Sequence, residues 1–219
     1  MGRNIVFILI ASFCVISVAC HKASGTGPNP GYGPKSLFPL TAGDTWYFVD
    51  SAFTDSGVAE AWQDTLVATK ASITDQGTGT IFLGLQDGQY GWFHGSYIAV
   101  DPTNAAVYEV DSPAYQPYTF FQTVSQDGVI GTGGIPDSVC PLSSVQYGYA
   151  NPVSVYGYQC YKNMEVIKDC HGVVLEQVVS YLSQGVGPVR LEDYLTDTTG
   201  GKNIFYEDYS QTLVGKSLK

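Results

Sequence analysis

The sequence predicts an all-β protein: one curled antiparallel sheet closing into a barrel or half-barrel, with a two-sheet β-sandwich as the alternative. Three observations point there. Beyond the first 19 residues almost no segment repeats its apolar residues at helical spacing. β-Branched and aromatic runs alternate instead with clusters of Gly, Asp, Asn and Pro. The C-terminal third then carries long strand-forming runs separated by tight-turn signals, the pattern of a meander.

The N-terminus is a different kind of sequence. Arg3 supplies a positive charge, Ile5 to Val18 is an apolar run, and Ser17-Val18-Ala19-Cys20 follows. The run is shorter than the ~20 residues that a bilayer-spanning helix needs, and its layout is that of a secretory signal. The Ser-Val-Ala-Cys stretch resembles a bacterial lipobox. The resemblance implies cleavage before Cys20 and attachment of acyl chains such as palmitate to that cysteine, which anchors the chain in a membrane. Residues 1–19 are therefore read as a lipoprotein signal peptide, 20–37 as the lipidated Cys and a Gly/Pro/Ser-rich flexible tether, and 38–219 as a single β domain.

The composition narrows the partners. Removing residues 1–19 takes away one basic residue and no acid, so a formal charge of −10 becomes −11. The acids are scattered singly, as on a solvated surface. Such a surface repels phosphate backbones, so no nucleic-acid partner is expected. No acidic run follows Cys20, which favours a periplasm-facing position at the outer membrane.

The elements can be placed in order. Gly43-Asp44 is a turn and Thr45 to Phe53 a strand, with Trp46 and Phe48 on one face and Tyr47 and Val49 on the other. Ala61 to Thr74 is a second strand. Thr80 to Gly95 reads as a hairpin about Asp87-Gly88, a type I′ signal. That register sets Leu85 opposite Tyr90, Leu83 opposite Trp92, Ile81 opposite His94 and Gly84 opposite Gly91. Strands follow at Tyr97 to Val100 and Ala106 to Val110. Ser112 to Ser144 reads as loops around a short strand near Tyr118 to Val124. The meander comprises Ser154 to Ile167, Val173 to Ser183, Val189 to Leu195 and Ile204 to Val214. Its turns lie at Asp169 to Gly172, Gly185 to Pro188 and Thr198 to Lys202.

Two short motifs sit at opposite ends of the domain. Pro39, Leu40, Gly43 and Trp46 form P-L-x-x-G-x-x-W, and Gly185-Val186-Gly187-Pro188-Val189 forms G-V-G-x-V. Together with the Gly157 to Lys162 strand, they make the chain resemble a broad group of poorly characterised bacterial envelope lipoproteins. Some of that group resemble curled-sheet carriers of lipid or lipoprotein. The resemblance implies an outer-membrane, lipid-anchored envelope protein with a lipid-like ligand or an envelope protein as partner. On physical grounds the motif residues serve the scaffold: Trp46 anchors a core, and Gly185 and Gly187 allow backbone geometry that a Cβ would obstruct.

Candidate chemistry is sparse. Cys140, Cys160 and Cys170 remain in the domain. Along a continuous strand Cys160 and Cys170 would lie ~25–30 Å apart at ~3.3 Å per residue, against a bridging limit near 7 Å. Cys140 and Cys160 are symmetric about Ala150 in a turn-like stretch, so Cys140–Cys160 is the preferred disulfide, with Cys140–Cys170 still open. His94 and His171 read as structural histidines. No H-E-x-x-H, G-x-S-x-G, phosphate-loop or EF-hand sequence occurs. Glu192-Asp193 and Glu207-Asp208 are strand neighbours that point to opposite faces. No catalytic residue, metal or cofactor is therefore assigned. The 16 Tyr, 10 Phe and 3 Trp mostly suit sheet packing. Tyr115, Tyr118, Phe120 and Phe121 form the candidate ligand rim. The expected function is a non-enzymatic envelope lipoprotein that binds an apolar ligand or partner protein. The alternatives are a carbohydrate-binding surface protein and, behind it, an enzyme.

Overall fold

A computed structural model gives the fold of residues 36–54, 57–75, 77–86, 97–101, 106–110, 118–135, 139–197 and 203–219. The strands are β1 (Thr45–Thr54), β2 (Gly57–Thr74), β3 (Ile81–Gln86), β4 (Tyr97–Val100), β5 (Ala106–Val110) and β6 (Tyr118–Gln122). They continue as β7 (Gly128–Ile135), β8 (Leu142–Val155), β9 (Tyr158–Lys168), β10 (Val174–Ser183), β11 (Gly187–Asp197) and β12 (Ile204–Ser217). All twelve join one sheet in the order β6-β5-β4-β3-β2-β1-β12-β11-β10-β9-β8-β7, every pairing antiparallel. The sheet coils until it nearly closes into a barrel, so the expected curled sheet is the architecture and the sandwich alternative is not.

Period-two alternation explains which side faces in. Trp46 and Phe48 of β1 are buried while Tyr47 is 45% exposed. The main core lies on the concave side and joins Trp46, Phe48, Leu66, Leu85, Ile98, Val107, Phe121 and Leu182. Phe82, Ala99 and Val110 form a second, smaller cluster.

One end of the barrel is plugged by the residues before β1. Leu37, Phe38 and Leu40 are buried, and Phe38 meets Trp46 edge-on with 5.2 Å between ring centres. Gly185 N donates to Ser36 O at 2.7 Å. Ser36 and Leu37, read with the tether from sequence, thus belong to the packed body: Leu37 carries apolar area that burial removes from water. The two end motifs meet in this plug. Trp46 Nε1 donates to Val186 O at 2.6 Å, satisfying the indole where no water reaches. Gly187 has φ +92° and lies against the indole, where an added Cβ would sit 3.1 Å from Nε1. Asp44 ties in the C-terminus: Lys219 N donates to Oδ1 and Thr41 N to Oδ2, both at 2.7 Å.

Three sequence expectations are corrected. Ser112 to Ser144 contains not only β6 but also β7 and the start of β8. The four glycines of β7 suppress strand propensity, yet backbone pairing with β8 holds it. Ser154 to Ile167 is not one strand; it turns at Tyr156-Gly157, both at positive φ (48° and 85°) as a type I′ turn requires. Tyr in place of the usual Asn or Asp hid that signal. Leu83 pairs with Ile98, and Gly84 with Tyr97, so the expected Leu83–Trp92 and Gly84–Gly91 register is wrong. The Asp87-Gly88 turn itself, with Tyr90, Trp92 and His94, lies outside the described residues, as does the Thr198 to Lys202 turn.

Candidate functional site

β6 and β7 are the two edges of the sheet, and among the described residues no ladder joins them. Side chains make the junction instead. Asn163 of β9 accepts from Gln122 N through Oδ1 at 2.8 Å and donates to Gln122 O through Nδ2 at 2.9 Å. Its amide thereby imitates the peptide group of a missing strand. Gln146 of β8 donates through Nε2 to Phe120 O at 3.1 Å. Gly148 makes room for the fold-over, since a Cβ there would come within 2.9 Å of Val124.

Beside this junction is a cleft of about 100 Å³. Tyr118 and Phe120 stand on its β6 side, with Ser144, Gln146, Asn163 and Glu165 opposite. The Ser144 hydroxyl donates to Glu165 Oε1. Hydroxyl, amide and carboxylate groups share the lining with the apolar surfaces of Phe120, Met164 and Val178. Across the junction, β7 (GVIGTGGI) is an edge strand with neither charge nor proline. Edge strands usually carry such groups as protection against further pairing.

The concave face also holds acids. Asp50 is fully buried and Asp64 nearly so, and among the described residues neither Asp50 oxygen has a hydrogen-bond partner of good geometry. Burial raises the Asp50 carboxyl to about 6; Tyr209 and Gln211 lie near enough to oppose this, and Asp64 adds to it. Burial likewise lifts Asp193 to about 7, with Glu176 and Asp208 adding repulsion. Glu176 and Asp208 are raised too, chiefly by burial. The scattered acids are thus not all on a solvated surface.

The outer face of β10–β12 is organised by Arg190. Its Nε lies 2.6 Å from Glu192 Oε1 and its second terminal nitrogen 3.3 Å from Glu207 Oε1. Arg190 also donates to the Tyr156 hydroxyl and, at 3.3 Å, to Thr212 Oγ1. Tyr181 and Tyr194 donate to Glu192 at 3.3 and 3.2 Å. Burial and the Glu192 charge raise both phenols, Tyr194 to about 12. Glu192 faces this network while Asp193 joins the concave acids, as their strand spacing requires.

The disulfide expectation is corrected. Cys140 bonds Cys170, with 5.2 Å between Cα atoms, and Cys160 is a free, buried thiol. The hairpin turns at Tyr156-Gly157, not Ala150, so Ser143 pairs with Lys168 and residue 140 falls beside 170. Cys160 faces Val153 from within the core, where burial raises its thiol to about 11.

The expected rim separates. Tyr118 and Phe120 line the cleft, whereas Phe121 is wholly buried in the core, one residue out of phase. Tyr115 and Cys20 lie outside the described residues. The structural set Pro39, Leu40, Gly43, Trp46, Gly185 and Gly187 converges on the plug. Sequence reasoning missed Asn163 and Gln146, and missed the concave acids although Trp46, Phe48 and Asp50 share one parity. No protein-family model matches the chain, and no curated protein matches it.

Proposed function

We propose that this chain is a lipid-anchored, non-enzymatic binding protein of the bacterial envelope, held at the outer membrane through Cys20 with its barrel in the periplasm. Its partner is another envelope protein, joined by adding an extended segment to the outer edge of β7. The outer edge of β7, unpaired among the described residues, carries this reading: it offers backbone donors and acceptors in a row and has no charge or proline to turn a partner away. The lipobox-like Ser17 to Cys20 supports the anchor, and the Cys140–Cys170 disulfide suits an oxidising compartment. An apolar small-molecule ligand is less favoured, since the apolar part of the concave side is filled by Trp46, Phe38 and their neighbours.

Native mass spectrometry of the detergent-extracted lipoprotein tests this. The expected result is an acylated chain with a co-purifying protein that is lost in Thr132→Pro. An acylated chain that stays monomeric and empty would contradict it.

The cleft favours a second reading, carbohydrate binding. Hydroxyl and amide groups beside Tyr118 and Phe120 are the chemistry that recognises a sugar's hydroxyls and ring face. Glycan binding abolished by Phe120→Ala, with Thr132→Pro neutral, would favour it over strand addition.

A further inference from the structure

The turn between β9 and β10 gathers three soft donors. Cys140 Sγ, Cys170 Sγ and a ring nitrogen of His171 all lie within 4.8 Å of one another, with Cys170 and His171 exposed. The turn is held by Asp169, whose Oδ1 accepts from His171 N at 2.9 Å and Val173 N at 2.8 Å. Cys170 N donates to Cys140 Sγ at 3.1 Å, a contact that stabilises a thiolate.

We propose that this group is a reduction-gated zinc site. While the disulfide is closed, its sulfurs have no charge to offer an ion. A dithiol reductant supplies two electrons and two protons, leaving as its own disulfide, and the Cys140–Cys170 bond becomes two thiols. Zn²⁺ then binds both sulfurs and the neutral His171 imidazole, expelling the two thiol protons. Tetrahedral zinc takes sulfur at ~2.3 Å and nitrogen at ~2.0–2.1 Å, and three donors this close can meet those distances with the fourth position left to water. The ion replaces the covalent staple, so the segment before β8 stays tied to the β9–β10 turn in either redox state.

The test uses the full-length lipoprotein in detergent, titrated with Co²⁺ and then Zn²⁺ before and after reduction by a dithiol, with folding followed by far-ultraviolet circular dichroism. The reduced wild type should take up the metal stoichiometrically, with sulfur-to-cobalt charge transfer that Zn²⁺ abolishes. The oxidised protein should show none. His171→Ala, which leaves the disulfide intact, should bind more than about tenfold more weakly after reduction, and Cys140→Ser should lose the charge-transfer band. A reduced chain that takes up no ion, folded or not, overturns the proposal. So does equal binding by the oxidised protein, or a His171→Ala variant as tight as wild type.

Discussion

Asp193 and Asp50 face inward, and their protons are coupled to folding. Each carboxyl rises from an unfolded value near 4 to about 7 and about 6 respectively, chiefly through burial. Between those limits the folded state holds the proton more tightly than the unfolded chain. Stability is therefore greatest below the unfolded value and falls as pH rises through about 6 to 7. The melting temperature should be higher at pH 5 than at pH 8, and Asp193→Asn should raise it at pH 8 and flatten the slope. An unchanged slope in that variant would place the charge elsewhere. Trp46 is the opposite case, a buried residue with its one polar atom satisfied. Trp46→Ala should cost about 3–5 kcal/mol in chemical denaturation. The role of Trp46 was legible from its place in the first strand. Its contact with Gly187 was not, because the two residues are far apart in sequence and meet only because β12 pairs with both β1 and β11.

At the scale of elements, the long meander strands were readable because each alternates β-branched or aromatic residues with polar ones between clear turns. β7 and the first half of β8 were not, because Gly131, Gly133 and Gly134 contribute no propensity and the Tyr156-Gly157 turn lacks its usual residue. That one missed turn also moved the disulfide. The loop from Cys140 to Cys170 spans 30 residues, so Cys140→Ser should lower stability by roughly 3–4 kcal/mol, whereas Cys160→Ala should leave the disulfide intact. Intact-mass analysis after thiol alkylation, alongside a urea titration, reads both. The junction can be weighed in the same way. Asn163→Ala leaves two backbone groups of Gln122 without their partner, at about 1–3 kcal/mol each. The loss should exceed that of Gln146→Ala, which frees one.

At the scale of the molecule, the twelve strands in antiparallel succession follow from described residues that are nearly all strand and turn. The curl was legible in the number and length of the strands. The mode of closure was not, because an inward Asn or Gln has no signature in a linear sequence until its register is known. A barrel closed by a strand ladder leaves no edge, whereas one closed by side chains leaves β7 open to a partner. Native-state amide hydrogen exchange tests that distinction most directly. The account predicts that Gln122 N–H is protected in the wild type and loses protection in Asn163→Ala, while the β1–β12 amides stay protected and the β7 amides facing away from β8 exchange fast. Equal protection along both sides of β7, or a Gln122 amide indifferent to Asn163→Ala, would contradict it.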